Sequence, residues 1–196
     1  MPDDLVVITY SGHGAIDPSS TYMENELTMD QAWCLFDGLL KDNQIHKLLT
    51  LFKKGVRVVL FSFCCHSGSM YKSLEPGKIL AANWVPKFMP RKQEETKQLS
   101  ADWTDSYLQK IGCKQDIVAH FKYFGSCQNN QYSYSTGFGD AGCLAWWKAW
   151  ETSKKTPYVL IFKNIFRLGL TPAYQTPVYQ NLSKNREFNN EYAFKI

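Results

Sequence analysis

Residues 61–68 read Phe-Ser-Phe-Cys-Cys-His-Ser-Gly, which sets two thiols and an imidazole at the end of an apolar run. A thiol attacks as its thiolate, and an imidazole within hydrogen-bond reach raises the thiolate content near neutral pH. Cys65 is suitably placed for such chemistry, and so is His13, which follows a second apolar run at residues 5–10. Gly12 and Gly14 flank His13 and allow a backbone tight enough for a substrate carbonyl to approach. The Gly14 amide could then join the Cys65 amide in an oxyanion hole. A Cys/His pairing is weak evidence by itself, because buried cysteines are common and most are inert. Zinc is disfavoured, since the Cys64-Cys65-His66 cluster lacks a Cys-x-x-Cys pair with a matching second pair. His66 adjoins the thiol in sequence, but adjacent side chains on an extended chain diverge, as Cys64 and Cys65 should.

Residues 5–10 are a short β-branched strand stopping at Ser11-Gly12, and residues 56–63 are a continuous apolar run of the kind covered on both faces of a sheet. Between them Asp42 reads as an N-cap, with Ile45, Leu48, Leu49 and Phe52 at helical spacing before Gly55, and residues 32–36 as a short extended piece. Strand, helix and strand in this order imply a parallel sheet. Residues 70–104 mix prolines with charges and read as a long surface excursion. Residues 105–110 can begin a helix, and residues 117–124 form a third strand leading into a polar, glycine-rich loop. Residues 144–150 and 158–168 carry helical periodicity, with Trp146, Trp147 and Trp150 as core, and residues 193–196 suggest an edge strand. The class is α/β in a single domain, residues 1–196. Ligands on such sheets collect beyond the carboxyl ends of the strands, where His13, Cys65 and Ser126-Cys127-Gln128 all fall.

The chain has 196 residues, 44% of them hydrophobic, enough for one core. Its net charge of +4 is spread along the sequence rather than gathered in a patch, which argues against nucleic acid. Lys87, Arg91, Lys92 and Lys97 are diluted by Glu94 and Glu95 and read as a solvated loop. There is no apolar run of membrane-spanning length and no signal-peptide pattern at the N-terminus. The expectation is a cytoplasmic protein with reduced thiols, Cys34, Cys113 and Cys143 serving as small core residues.

Tyr10-Ser11-Gly12-His13-Gly14 and Cys65-His66-Ser67-Gly68 together resemble the two active-site motifs of caspase-like cysteine peptidases (peptidase C14), particularly bacterial metacaspases. The resemblance continues through Trp33-Cys34-Leu35-Phe36-Asp37, Gly125-Ser126-Cys127-Gln128-Asn129-Asn130-Gln131 and Gln175-Thr176-Pro177. It implies a three-layer fold with a mostly parallel sheet, Cys65 as nucleophile, His13 as its partner, and peptide or protein substrates. Phe63, Ser126, Gln128 and Asn129 then stand at substrate-binding positions. No cofactor is implied; calcium, used by some relatives, is doubtful because Lys72 stands where they carry a calcium-binding Asp and Asp17, Asp30, Asp37 and Asp42 form no dense oxygen-ligand loop.

Two departures qualify the resemblance. The family's pocket acids are replaced by Phe63 and Asn129, which predicts a preference for uncharged residues before the cut unless another acid such as Asp140 reaches the pocket. The family's strand and helices before the His-motif strand are missing from this sequence. Residues 5–10 are therefore expected to carry an unpaired edge open to self-association or a partner chain. The expected function is a cysteine endopeptidase; the alternative is a caspase-like module that binds peptide or a partner domain without cleaving it.

Overall fold

The computed structural model describes residues 1–17, 30–67, 85–87, 116–128, 130–136, 139–170 and 175–196. Asn129, Lys72, Cys113, the helix expected from residue 105 and nearly all of the proline-containing stretch lie outside them. In chain order the elements begin with β1 (Leu5–Ser11), β2 (Gly14–Asp17), β3 (Asp30–Cys34), β4 (Leu39–Lys41), α1 (Asp42–Leu49), β5 (Arg57–Phe63) and β6 (His66–Ser67). They continue with β7 (Val85–Pro86), β8 (His120–Gly125), β9 (Asn130–Gln131), β10 (Tyr134–Thr136), β11 (Gly139–Asp140), α2 (Ala141–Glu151), α3 (Tyr158–Arg167), β12 (Val178–Asn181) and α4 (Arg186–Asn190).

The main sheet runs β1-β5-β8-β12, parallel through its first three strands and antiparallel at β12. With helices packed against it, this is the expected α/β fold with a mostly parallel sheet. β5 lies at its heart because its unbroken apolar sequence satisfies both faces. Val59, Phe61 and Phe63 enter an aromatic core with Trp146, Tyr158 and Ile161 from α2 and α3. Val58, Leu60 and Cys64 face the opposite cluster with Trp33 and Leu49. β1 pairs with β5 alone among the described residues, and Val7 is 41% exposed.

Several boundaries differ from the sequence reading. Asp42 is the first helical residue of α1 rather than its cap, because Lys41 keeps the extended backbone of β4 and its N–H donates to Gln44 Oε1 at 3.0 Å. Asp42 still suits the positive end of the helix. Residues 193–196 form no strand: Phe194 turns into the left-handed region at φ 61°, which sends its ring against Trp146 and Tyr158. The antiparallel edge of the sheet is instead β12. The tryptophans of α2 are also not all core, since Trp146 is buried while Trp147 is 50% exposed.

Candidate active site

Register brings the two motifs together. Ser11 pairs with Phe63 at the carboxyl ends of β1 and β5, so His13 and Cys65 each lie two residues beyond the last pair. Gly14 then packs onto the Cys65 backbone so closely that a Cβ there would stand 2.0 Å from the Cys65 carbonyl oxygen. The carbonyl of His13 accepts from the Cys34 N–H at 3.0 Å and from Tyr10 Oη at 2.8 Å. Tyr10 stacks on Trp33 with ring centroids 4.5 Å apart, and Trp33 Nε1 donates to Ser62 Oγ at 2.9 Å. The Trp33-Cys34 segment therefore braces the loop that carries His13, whose residue is exposed.

Cys65 is 2% exposed. Its Sγ accepts from the Ser133 N–H at 3.1 Å and lies 3.4 Å from the Ser133 carbonyl oxygen. Burial pushes the thiol well above the usual cysteine range, against backbone hydrogen bonding from Ser133 and, more weakly, Lys87. Cys64 diverges from it as the alternation of a strand requires, approaching Ser62 Oγ at 3.3 Å, and burial pushes its thiol up to about 12. Among the described residues, no hydrogen bond joins the His13 ring to the Cys65 sulfur.

The Gly14 N–H, expected in the oxyanion hole, donates to the carbonyl of Lys87 at 2.9 Å. Lys87 is 8% exposed and is not part of a solvated loop. Its ammonium donates to Ser11 Oγ at 2.9 Å, the Phe63 carbonyl at 2.8 Å and Asp140 Oδ2 at 3.1 Å, which accounts for all three of its donors. The Lys87 N–H donates to the Ser133 carbonyl at 2.8 Å, and β7 runs antiparallel to β10 with Pro86 opposite Tyr134 and Val85 opposite Ser135. Asp140 caps α2, accepting from the Cys143 N–H at 2.8 Å, and also accepts from Ser133 Oγ at 3.0 Å and Ser126 Oγ at 3.3 Å.

The expected substrate-binding positions divide. Phe63 borders this pocket through its carbonyl, while its ring packs in the aromatic core beside Phe61. Ser126 lines the pocket through Asp140, Gln128 is exposed, and Asn129 lies outside the described residues. Ser126 and Gln131 are each tied to the 175–176 segment: Gln175 Nε2 donates to the Ser126 carbonyl at 2.9 Å, and the Thr176 N–H donates to Gln131 Oε1 at 2.8 Å. Sequence reasoning missed Lys87, Ser133 and Ser11 as pocket residues; Asp140 it named only as a substitute acid. Among the described residues, no group of three or more His, Cys, Asp or Glu side chains is arranged to hold a metal ion. No helix among them is long and apolar enough to cross a membrane.

Comparison with known proteins agrees with this arrangement at the level of fold. None of the curated proteins compared matches the chain. The crystal structure of protein GSU0716 from Geobacter sulfurreducens matches with a TM-score of 0.74 at 29% identity, over 97% of this chain and 71% of that one. Residues 1–73 match the model of the metacaspase, peptidase C14 domain, a span that holds both His13 and Cys65.

Proposed function

We propose that the protein is a cysteine endopeptidase of the caspase-like class, with Cys65 as nucleophile and His13 as its proton-transfer partner. The observation that carries this reading is the placement of residues 85–87. They form an extended peptide segment antiparallel to β10, ending with the Lys87 carbonyl on the Gly14 N–H beside Cys65. A substrate peptide laid the same way presents a carbonyl to the thiol and to the two loop amides at once.

In the reaction, His13 takes the thiol proton and the sulfur bonds to the substrate carbonyl carbon. The Gly14 and Cys65 amides bear the charge that develops on the carbonyl oxygen. The imidazolium then protonates the departing amine as the C–N bond breaks, and water hydrolyses the acyl-enzyme. Closing the dyad requires the exposed His13 ring to swing toward the buried sulfur.

The absence of a His13–Cys65 hydrogen bond among the described residues favours a second reading, a module that binds an extended peptide without cutting it. A fluorogenic peptide panel separates the two. A peptidase gives hydrolysis that Cys65→Ala and His13→Ala each abolish and Cys64→Ala largely retains; a binding module gives none in any form.

A further inference from the structure

Cys127 is buried and takes no part in the reaction described above. The register of the main sheet explains where it falls. Ser62 pairs with Gly125 at the ends of β5 and β8, and the Ser126 N–H donates to the Ser62 carbonyl at 3.1 Å, which carries the pairing one step further. Continued at strand spacings of about 4.8 Å across and about 3.3 Å along, this register sets the Cys65 and Cys127 Cα atoms roughly 6 Å apart, within the span a disulfide bridges. The two sulfurs also face one segment. Cys127 Sγ lies 3.3 Å from the Gln131 carbonyl oxygen and 3.8 Å from that of Cys64, while Cys65 Sγ meets the N–H and carbonyl of Ser133 at 3.1 and 3.4 Å. Cys64 adjoins Cys65 in the chain, yet its sulfur turns away to Ser62 Oγ, on the side of Trp33 and Leu49. In keeping with this, charge on Cys127 opposes ionisation of Cys65 more than charge on Cys64 does. All three residues are thiols in this structure.

Resting on the peptidase reading of Cys65, we propose that this pair is an oxidative modification site, at which hydrogen peroxide joins Cys65 and Cys127 in a disulfide that blocks the nucleophile and that a dithiol undoes. Oxidation starts on Cys65, the thiol that His13 deprotonates when the dyad closes. Its thiolate attacks the peroxide: an S–O bond forms, the O–O bond breaks, and hydroxide departs, leaving the sulfenic acid. The Cys127 thiol passes its proton to that hydroxide and attacks the Cys65 sulfur, forming the S–S bond and expelling a second hydroxide, which the His13 imidazolium neutralises. Two thiols are oxidised and one peroxide is reduced to two waters. Without a resolving thiol the sulfenic acid continues to sulfinic acid, which a dithiol does not reverse. Cys127 therefore trades a permanent loss of the nucleophile for a reversible one.

The test maps cysteine oxidation by mass spectrometry in the full native chain, Cys64→Ser and Cys127→Ser after exposure to hydrogen peroxide. Peptide hydrolysis is measured before oxidation, after it, and after dithiothreitol. The native chain and Cys64→Ser should each carry a Cys65–Cys127 cross-link that dithiothreitol reverses, with hydrolysis lost and then regained. Cys127→Ser should form no cross-link, accumulate sulfinic acid on Cys65 and stay inactive after reduction. Cys127→Ala is the second variant, which keeps the site apolar if a buried serine hydroxyl prevents folding, and it should behave as Cys127→Ser does. A cross-link between Cys64 and Cys127 with Cys65 spared would overturn the pairing. So would sulfinic acid on Cys65 to the same extent with and without Cys127, or thiols that all survive the peroxide. The mapping reads the bond itself, so a chain that cross-links yet hydrolyses nothing keeps the disulfide and loses the peptidase reading. A chain that hydrolyses while reduced and never cross-links loses only the disulfide.

Discussion

Gly14 and Cys65 touch backbone to backbone at the ends of β1 and β5, and a methyl group on the glycine would overlap the cysteine carbonyl oxygen at 2.0 Å. The contact sets the His13 loop against the Cys65 loop. Gly14→Ala must push the two apart, since neither partner atom is the tip of a flexible side chain. Overpacking of this kind costs about 1–3 kcal/mol. The variant should unfold at lower denaturant concentration by that amount and lose hydrolysis; native stability together with native activity would show that the loops are not held by this contact.

Tyr10 reaches across the same junction, bonding the carbonyls of His13 and Cys34 at 2.8 and 3.0 Å. Tyr10→Phe keeps the stack on Trp33 and removes the hydroxyl. Stability should fall by about 1 kcal/mol, the net worth of a typical hydrogen bond. Because the hydroxyl positions the His13 loop without touching substrate, kcat should fall about tenfold while KM stays nearly constant. An unchanged kcat would remove Tyr10 from the positioning of His13.

Much of this site was legible in the sequence, and what was missed shares one cause. The β5 strand announces itself because an unbroken apolar run has few other stable placements, and the His13 and Cys65 loops follow directly from strand ends. Lys87 gives no such signal. Its partners Ser11, Phe63 and Asp140 lie 76, 24 and 53 residues away, so local composition shows only a lysine in a charged, proline-containing stretch. β12 was missed for a related reason: Gln180 and Asn181 dilute its apolar pattern, and pairing to β8 rather than propensity makes it a strand. At Phe194 burial of the ring against Trp146 and Tyr158 wins over the extended backbone its neighbours suggest.

Lys122 offers a test of the core behind the site. Its side chain on β8 is fully buried, donating to the Phe188 carbonyl and lying 3.6 Å from the centre of the Phe188 ring. Burial lowers its ammonium to about 8, a shift that the Glu191 carboxylate only partly opposes. In the unfolded chain the value is about 10.4. The charged form therefore destabilises the fold fully below about pH 8, and that cost fades as pH rises toward about 10.4. Relative to Lys122→Met, the native protein should gain about 3 kcal/mol of unfolding free energy across this window, at about 1.4 kcal/mol per unit. A difference that stays constant with pH would mean that the ammonium is not desolvated as described.

The most direct measurement of the central claim locates the nucleophile chemically. The native chain and its His13→Ala variant are exposed to peptidyl electrophiles differing only in the residue next to the reactive carbon, and adducts are mapped by mass spectrometry. The account predicts a single adduct on Cys65, formed about 100-fold or more slowly without the imidazole, in keeping with the usual contribution of a positioned acid–base group. Labelling of Cys64 or Cys127 with Cys65 untouched, or equal rates with and without His13, would contradict it.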